Sequence, residues 1–568
     1  MKHDFLLKLH RVKDGKASEG SHQLSQNIEL IFDSSLPHSI EETDSYFYCR
    51  IGFLNCFSDE SEAEFDRQIA KQLSNAEHSA PALNRGYINV FFFDKKTQKS
   101  QFYCDRIGIH KTYFECHDGT VLISNNLSHF DFNSIEAVDN NWLTEVVNFK
   151  ICAGSHTANP NVRQMPAGQY VSFDEKLACS GNHVYWETKD RVEHSELSIE
   201  DATSESYQLL ANHLASSGIK NKRVAVLLSG GVDSSLLAAL TKEQNTDVVA
   251  ITPVFMTGEN PEREAAQLMA QAIDIKHEIM EISDQEIGDE FSSVVDFIKQ
   301  PIRSPQTIIF SILMKKFEGR FDAVVFGEGA DMIFGYHAVA LASKRYEKYR
   351  KVAFLKPFSG LLRSLSSIPQ VKKLAELVDE TVASQVLASW AIEYPDTLKK
   401  QLPNMEAQGN DIEIIEQLKL LDYDAKNLDC HGIENLVRKF IIHESCLYHF
   451  YTMGALANRS GIQLVSPFFD TDVVEFASNF DNRLYFGDEF TKPILRRIGA
   501  QFYDKALIYA KKKGFPTPHE IWLNGPLKDK SESARQYILE RFGKEASQNS
   551  EFVWVVMAFD ELGVRDKF

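Results

Sequence analysis

The feature that most limits how this chain can fold is the loop SGGVDSS at residues 229–235. It follows the apolar run 224–228, which predicts a buried strand, and it leads into a helical pattern at about 234–242. Two glycines let the backbone approach a ligand closely, and the free N–H groups at the start of a helix attract an anion. The sequence therefore predicts a phosphate-binding turn between a strand and a helix.

The rest of the second half of the chain fits a parallel sheet. Apolar runs at 248–251 and 323–326 alternate with helical patterns, among them an amphipathic stretch at 205–216. Short buried strands that alternate with helices are typical of a parallel sheet covered on both faces. From about residue 338 onwards the periodicities are mainly helical. The predicted fold class is α/β, with a helical C-terminal part.

The first part of the chain has a different pattern. Between residues 46 and 130, short runs of β-branched and aromatic residues alternate with turn residues, which predicts strands. The polar run 187–200 is interpreted as a linker. We predict a sheet-rich domain at 1–195 and an α/β domain at 196–568, with a helical insertion at about 338–430.

Composition argues against several classes of function. The 568 residues carry a net charge of −19, which would repel a phosphate backbone over most of the surface. The eight cysteines lie far apart, without the paired spacing of a zinc site. No uninterrupted apolar run approaches the roughly 18 residues that span a bilayer. We therefore expect a cytoplasmic protein, with no nucleic acid and no membrane among its partners.

One basic segment stands out in this acidic chain. Residues 344–373 contain nine Lys and Arg side chains. The segment is either a docking surface for an acidic partner or peptide, or a solvated helical face that acids elsewhere balance. The sequence leaves both interpretations open.

The glycine loop also matches a known signature. SGGVDSS between a strand and a helix resembles the PP-loop of ATP pyrophosphatases, and it lacks the Gly-Lys-Ser/Thr of a Walker loop. The hydroxyls of Ser229, Ser234 and Ser235 add donors, and Asp233 can hold the magnesium that accompanies ATP. The resemblance implies cleavage of ATP between the α and β phosphates and transfer of AMP to an acceptor oxygen. The alternative is a tight turn capped by serine.

A second motif narrows the family. The run FGEGADMIFGY at 326–336, taken together with SGGVDSS, closely resembles asparagine synthetases. Segments 467–470, 491–496 and 511–516 share the likeness, which covers nearly all of the second domain. The first domain resembles the class II glutamine amidotransferase domain of that family through DRIGIHK at 105–111. The resemblance implies an αββα sandwich followed by a PP-loop synthetase domain.

The resemblance also assigns residues to the synthetase site. The ATP-binding positions that it implies are Leu228, Ser229, Gly230, Gly231, Asp233, Ser234, Ser235, Val254 and Gly327. The implied magnesium ligands are Asp233 and Asp331, from two loops at the carboxyl edge of one sheet. Glu328 matches the glutamate that receives a proton from the attacking amine, and Lys512 matches the lysine that neutralises the departing pyrophosphate.

Each of these assignments has a plainer alternative. Glu328 and Asp331 are also the kind of acids expected near a helix N-terminus, where they suit the helix dipole. Lys512 lies between Lys511 and Lys513, so the match to the family lysine could be shifted by one residue. The alternative is that all three belong to a solvated basic run.

One departure from the family concerns glutamine. Class II glutaminases use an N-terminal cysteine, exposed by removal of Met1, whose thiol is activated by its own amine. Position 2 of this chain is Lys2, and the first cysteine is Cys49. We therefore expect glutamine hydrolysis to be absent and the first domain to serve as a scaffold.

A second departure concerns the substrate. A pocket for free aspartate must pair its charges with protein charges, since burying them unpaired costs several kcal/mol. Several charged positions of asparagine synthetases are replaced, and this favours relatives such as β-lactam synthetases and lasso-peptide cyclases, which close a ring with an amine of the substrate. The replaced positions fall on Lys299, Gln300, Met332, Gly454, Ala455, Gln463 and Val465.

These features together favour an ATP- and Mg²⁺-dependent, AMP-forming amide ligase, as found in natural product biosynthesis. It would adenylate the carboxylate of a small molecule or peptide and couple it to an amine, which in a cyclisation belongs to the same substrate. The first alternative is a divergent asparagine synthetase that uses free ammonia. A tRNA-modifying PP-loop enzyme and an inactive binding protein are further alternatives. The sequence leaves open whether the chain forms a homodimer or works with a partner protein.

Overall fold

The structure is a computed structural model that describes most of the chain. The described residues are 4–11, 21–55, 61–74, 83, 85–132, 136–150, 152, 154–186, 197–245, 247–256, 260, 262–302, 304–335, 348–365, 368–379, 401, 447–478, 480, 482–485, 491–510 and 519–567. Lys512 and most of the predicted insertion at 338–430 lie outside this set.

Two antiparallel sheets form the N-terminal unit. The strands are β1 (Phe5–Arg11), β2 (His22–Gln23), β3 (Ile28–Ser34), β4 (His38–Glu42), β5 (Tyr46–Phe53), β6 (Tyr87–Asp94), β7 (Lys99–Tyr103), β8 (Thr112–His117), β9 (Thr120–Ser124), β10 (Val162–Met165), β11 (Gln169–Phe173) and β12 (Cys179–Val184). The first sheet has the order β10-β8-β9-β1-β3-β2, and the second has the order β12-β11-β7-β6-β5-β4.

The two sheets pack face to face over an apolar core. Alternate residues of β1, such as Leu7 and Leu9, are buried in the same cluster as Phe91 of β6. Helix α1 (Glu62–Ser74) packs against β4, β5 and β6 through buried side chains such as Phe65. The sheet-rich sandwich that the resemblance implies is therefore present.

The second unit is built on a parallel sheet. Its strands are β13 (Val224–Leu227), β14 (Val248–Phe255), β15 (Lys276–Ile282), β16 (Ala323–Val325) and β17 (Gln463–Val465). They have the order β15-β14-β13-β16-β17, and all four neighbouring pairs are parallel. The chain leaves β13 towards β14 on one side, while β16 lies on the other side. Ligands of open α/β sheets bind outside the carboxyl ends of the strands at such a switch point.

The remaining helices surround this sheet or form the C-terminal part, except the first of them, which lies between β9 and β10. They are α2 (Asn140–Phe149), α3 (Ile199–Ser216), α4 (Val232–Gln244), α5 (Glu262–Ala272), α6 (Asp284–Ile298), α7 (Gln306–Phe317), α8 (Ala330–Phe334), α9 (Ser359–Ser364), α10 (Pro369–Asp379), α11 (Leu447–Arg459), α12 (Thr471–Ala477), α13 (Asn482–Tyr485), α14 (Pro493–Gly499), α15 (Lys505–Ile508), α16 (His519–Asn524), α17 (Lys528–Phe542), α18 (Lys544–Ser547) and α19 (Ser550–Glu561). Helix α19 is buried without interruption at 552–559, so it lies in the core.

The predicted fold class is confirmed, and several boundaries shift. Helix α3 begins at Ile199, because the Ser198 hydroxyl accepts a hydrogen bond from the N–H of Asp201 and caps it. The predicted linker at 187–200 therefore ends before its last two residues. Strand β14 runs on to Phe255, four residues beyond the predicted run. Among the described residues, no helix has the length and apolar content needed to cross a membrane.

Buried polar contacts join the two units. His213 on α3 places Nδ1 2.8 Å from a carboxylate oxygen of Asp470 and 3.3 Å from the side-chain nitrogen of Asn55. The hydroxyl of Tyr87 on β6 donates a hydrogen bond of 3.0 Å to the carbonyl oxygen of Ser466. The N-terminal unit therefore contacts the segment that directly follows β17, at the carboxyl edge of the parallel sheet.

Candidate active site

The loop 229–235 turns sharply between β13 and α4. Gly230 has φ +77°, and a Cβ added there would lie 2.6 Å from Cβ of Ala265 and 2.6 Å from the backbone nitrogen of Ala266. Gly231 caps α4 with φ −77°, a conformation open to any residue. The packing of α5 against the loop therefore requires glycine at position 230.

Ser229 and Ser234 hold the shape of this loop. The N–H of Ser229 donates to Oγ of Ser234 at 3.1 Å, and the two hydroxyl oxygens are 3.0 Å apart. The side chain of Ser235 is fully buried, and its Oγ has no hydrogen-bond partner among the described residues. The carbonyl oxygen of Ser235 accepts a hydrogen bond of 2.7 Å from the Tyr503 hydroxyl. Ser235 is therefore directed into the protein interior.

A cavity of about 210 Å³ opens at the carboxyl ends of β13 and β16. Most of the predicted site residues line it, namely Leu228, Ser229, Asp233, Ser234, Gly327, Glu328 and Asp331. The predicted positions that do not line it are Gly230, Gly231, Ser235 and Val254. Val254 follows Pro253 on β14, and Pro253 does line the cavity. The structure therefore brings the core of the predicted site together.

A buried lysine joins the two predicted magnesium ligands. Nζ of Lys492 lies 2.6 Å from Oδ2 of Asp233 and 2.7 Å from Oδ1 of Asp331, and only 4% of the lysine side chain is exposed. Burial alone would lower the pKa of Lys492, but the two carboxylates outweigh burial and raise the pKa above its ordinary value. Lys492 is therefore a fixed positive charge beside the cavity.

The arrangement of carboxylates fits a magnesium ion bound with nucleotide. Carboxylate oxygens are ligands that Mg²⁺ prefers, and an ion held by one or two of them completes its shell with phosphate oxygens and water. Oδ1 of Asp233 is buried and has no hydrogen-bond partner in the part of the chain that the structure describes. This atom can bind the ion while Oδ2 stays paired with Lys492.

Glu328 lies on a tight turn between two glycines. Gly329 has φ +93°, and a Cβ there would lie 2.8 Å from the ring of Phe469, so the position requires glycine. The Ser466 hydroxyl donates a hydrogen bond of 3.0 Å to the carbonyl oxygen of Glu328. Because the carbonyl oxygen of Ser466 accepts from Tyr87, the N-terminal unit helps to fix this turn.

Sequence reasoning assigned no role to Lys492, although it lies in the segment 491–496 that carries the resemblance. Its φ of +59° is unusual for a residue with a Cβ, and it immediately precedes Pro493, the first residue of α14. A strained residue that the surrounding structure holds in place is a signal for function. Lys512 lies outside the described residues, so its role stays a prediction.

A comparison with known families matches the part of the chain that forms this site. The family model described as asparagine synthase matches residues 207–536, which is more than half of the chain and contains all five strands of the parallel sheet. The chain belongs to the asparagine synthase family. The nearer likeness to β-lactam synthetases and lasso-peptide cyclases stays a prediction.

Two curated members of the family are a little under a quarter identical to the chain over the stretches that align. It is 24% identical over 367 residues to asparagine synthetase [glutamine-hydrolyzing] 1 of Bacillus subtilis (strain 168), which covers 59% of this chain and 55% of that protein. It is 22% identical over 314 residues to a putative asparagine synthetase [glutamine-hydrolyzing] of Mycobacterium tuberculosis (strain ATCC 25618 / H37Rv), which covers 53% and 46%. The chain spans about half the length of the curated relatives it matches.

Solved structures give weaker matches. An NH3-dependent NAD synthetase from Campylobacter jejuni is 20% identical, with a TM-score of 0.19 over 25% of this chain and 61% of that chain. A glutamine phosphoribosylpyrophosphate amidotransferase from B. subtilis is 9% identical, with a TM-score of 0.20 over 49% and 60%. At such scores, the assignment of the fold rests on the strands and helices themselves.

None of the replaced family positions lines the 210 Å³ cavity, which we call the nucleotide cavity, and three of them have a clear packing role. Gln463 begins β17 at the amino end of the sheet, where its side chain accepts a hydrogen bond of 2.6 Å from Lys222. Val465 is fully buried in the core, and a Cβ at Gly454 would lie 2.9 Å from the carbonyl oxygen of Ile109. Packing explains the residues at these positions. That these replacements report on substrate charge stays a prediction.

Two other replaced positions line a second, smaller cavity. Gln300 and Ala455 lie there with Lys111 of the N-terminal unit and Tyr451 of α11. Burial lowers the pKa of Lys111 to about 7, and its Nζ is 4.0 Å from the centre of the Tyr451 ring. Because Met453 lines the nucleotide cavity, α11 separates the two spaces.

The nucleotide cavity is acidic and otherwise largely apolar. Its acids are Asp233, Glu262, Glu328 and Asp331, and no Lys or Arg is among its described lining residues. The apolar wall consists of Ile309, Phe310, Leu313, Phe326 and Met453. The nearby Lys492 is already paired with two acids. Among the described residues that line the cavity, no cation is therefore present to pair with the carboxylates of a free dicarboxylic amino acid.

The cysteines in the core of the N-terminal unit are not activated. Burial raises the thiol pKa of Cys49 and of Cys104 well above its ordinary value, and it raises that of Cys116 to about 12. A nucleophilic cysteine needs a thiolate, which a lowered pKa supplies. These thiols are therefore packing residues.

Proposed function

We propose that this chain is an ATP-dependent, AMP-forming amide ligase that adenylates a substrate carboxylate and couples it to an amine. The observation that carries the proposal is the convergence of the loop 229–235, Asp233, Asp331 and Glu328 on one cavity. Membership of the asparagine synthase family supports formation of a C–N bond as the class of reaction.

The first step joins the substrate to AMP. A carboxylate oxygen attacks the α-phosphorus of ATP, the bond to the bridging β-phosphate oxygen breaks, and pyrophosphate leaves. The N–H groups at the start of α4 bind phosphate oxygens, and Mg²⁺ held by Asp233 and Asp331 would offset their charge. Lys492 keeps the two carboxylates in position. Lys512 is proposed to neutralise the departing pyrophosphate.

The second step forms the amide. The amine nitrogen attacks the acyl carbon, the bond from that carbon to the phosphate oxygen breaks, and AMP leaves. The nitrogen loses one proton, which the Glu328 carboxylate accepts. Glu328 lines the same cavity as the nucleotide loop, which places it beside an acyl adenylate formed there.

The walls of the cavity support a substrate other than free aspartate. Aspartate would bring two carboxylates beside Asp233, Glu262, Glu328 and Asp331, and unpaired burial of such charges costs several kcal/mol. An apolar small molecule or a peptide with one reacting carboxylate suits the apolar wall on α7. The amine belongs to the same molecule or to a second one. We propose that glutamine hydrolysis is absent.

Exchange of labelled pyrophosphate into ATP tests the adenylation step. Purified protein is supplied with Mg²⁺, ATP and a panel of carboxylates that includes aspartate, apolar N-acyl amino acids and short peptides. We expect exchange with a member of the apolar or peptide group, and a loss of at least about a hundredfold in Asp233→Ala. The matched control is Asp289→Ala, which removes an exposed acid of α6.

The outcomes separate the candidates. Asparagine formation from aspartate and free ammonia would replace the proposal with a divergent asparagine synthetase, which the names of the curated relatives favour. Wild-type exchange in Asp233→Ala would exclude the proposed site. Release of glutamate from glutamine without ATP would contradict the absence of glutaminase activity.

A further inference from the structure

An exposed row of large apolar side chains lies on the basic segment 344–373. We call the row the apolar stripe, and its members are Phe354, Phe358, Leu361, Leu365 and Ile368. The exposed fraction of these residues ranges from 46% for Leu365 to 73% for Phe354. Their spacing of four, three, four and three residues would place them on one face of a continuous α-helix, whereas here they follow one another along successive short elements. Five large exposed apolar side chains within fifteen residues are unusual on a protein surface, and such a concentration indicates an interaction site.

The charges around the apolar stripe have one sign. Residues 344–373 contain nine Lys and Arg side chains and one acid, Glu347, in a chain with a net charge of −19. Lys351, Lys356 and Lys373 are exposed beside the stripe in sequence. A partner that covers the stripe therefore gains most if it is apolar and also carries negative charge. A second copy of the stripe would bring like charges together.

The local backbone favours a planar partner over a helical one. The stripe runs through a 3₁₀ turn at Ala353–Phe358, then helix α9, and it ends just before helix α10 begins at Pro369. A partner helix in a coiled coil needs an unbroken seam over several heptads, and short elements that contain Pro357 do not supply one. A lipid interface needs only apolar side chains on one side with basic groups around them.

Against the expectation from composition that no membrane is among its partners, we propose that the apolar stripe docks this protein on an anionic lipid surface. The Phe and Leu side chains enter the boundary between head groups and acyl chains, while the lysines extend to lipid phosphates. The acidic remainder of the chain is repelled by the same surface, which orients the protein with the stripe towards the lipid. This contact is peripheral, and it is independent of the proposed ligase activity.

Vesicle flotation with the full chain tests this proposal. The vesicles are phosphatidylcholine alone, or phosphatidylcholine with phosphatidylglycerol in a ratio of about seven to three. We expect at least about tenfold tighter binding to the anionic vesicles at low salt, and weaker binding as salt rises. The double variant Phe354→Ser and Phe358→Ser should lose binding about tenfold or more, because both side chains are exposed in the protein and buried in lipid.

A matched control removes exposed apolar side chains elsewhere. Val184 and Leu539 are 60% and 42% exposed, and their double replacement by serine should leave vesicle binding unchanged. Lys351→Glu with Lys356→Glu should weaken binding to anionic vesicles only. Equal binding to both kinds of vesicle, or wild-type binding by the phenylalanine variant, would overturn the proposal. Capture of an acidic amphipathic peptide without vesicle binding would assign the stripe to a protein partner instead.

Discussion

Replacing Lys492 with methionine should destabilise the second unit, because it leaves two acids without their shared cation. Methionine has a similar length and no charge, so the change isolates the ammonium group. In the wild type this group lies 2.6 Å from Asp233 and 2.7 Å from Asp331. Only 4% of the lysine side chain and 13% of the Asp233 side chain are exposed, so water cannot replace the lost pairing.

The expected loss comes mainly from Asp233. Breaking a buried ion pair by removing one partner costs about 3–5 kcal/mol. Asp331 is 53% exposed, so solvent screens its share and adds little. We expect a loss of about 3 kcal/mol, which corresponds to a fall of about 4 °C in the melting temperature of a unit of this size. The raised pKa of Lys492 makes its contribution complete below about pH 10.5, and the contribution is lost as pH rises through the folded-state value.

Thermal melts with and without Mg²⁺ measure this effect. Without Mg²⁺ the variant should melt below the wild type. Since Mg²⁺ can supply the missing positive charge between Asp233 and Asp331, it should stabilise the variant more than the wild type. A concentration of about a hundred times its dissociation constant would restore about 2.7 kcal/mol.

The control is Lys222→Met. Lys222 is half-buried and donates to the neutral side chain of Gln463, so its removal leaves no comparable buried acid behind. This control should lose less stability and should gain nothing extra from Mg²⁺. If Lys492→Met melts like the wild type in Mg²⁺-free buffer, the ammonium group does not hold the two carboxylates, and the reasoning is refuted.

Two further changes test the contact between the units. Burial lowers the folded-state pKa of Lys111 to about 7, so the wild-type free energy of unfolding should rise by about 1.4 kcal/mol per pH unit between about pH 7 and 10.5. Lys111→Met should remove this rise. Urea titrations at several pH values measure both slopes. Tyr87→Phe removes the hydrogen bond to Ser466 and should cost about 1 kcal/mol and slow amide formation at saturating ATP, because the Glu328 turn loosens. Tyr185→Phe, whose hydroxyl bonds within the N-terminal unit, should lower stability without slowing amide formation.

The nucleotide half of the site could be predicted because its residues are close together in sequence. The loop 229–235 and the segment 326–336 each follow a strand of one parallel sheet, so their side chains meet wherever that sheet forms. The residues of the loop decide its local shape, and the strand before it decides its place in the fold. Motif and topology therefore give the same answer for Asp233, Glu328 and Asp331.

Lys492 and the substrate-side positions could not be predicted in this way. Lys492 reaches Asp233 from 259 positions further along the chain, and only the three-dimensional fold brings them together. The resemblance put Gln463 among the replaced charged positions, yet strand β17 pairs with β16 so that Gln463 lies at the amino end of the sheet. A position along the chain does not say which edge of the sheet a residue occupies.

Gly230 shows the same difference between a motif and its physical cause. From the sequence, its lack of a Cβ leaves room for a ligand, so Gly230→Ala would weaken ATP binding and leave the free protein unchanged. In the structure the nearest atoms belong to Ala265 and Ala266 of α5, at 2.6 Å from an added Cβ, and φ is +77°. We therefore expect Gly230→Ala to lose about 3 kcal/mol of stability without ATP, as a sum of backbone strain and overpacking.

The control is Gly319→Ala, at φ +70° with no atom within 4 Å, which should lose only the backbone share of about 1 kcal/mol. Adding Ala265→Gly to the first variant should recover only part of the loss, because the contact with the nitrogen of Ala266 remains. If ligand-free Gly230→Ala is as stable as the wild type, packing does not require this glycine, and room for the ligand is its cause.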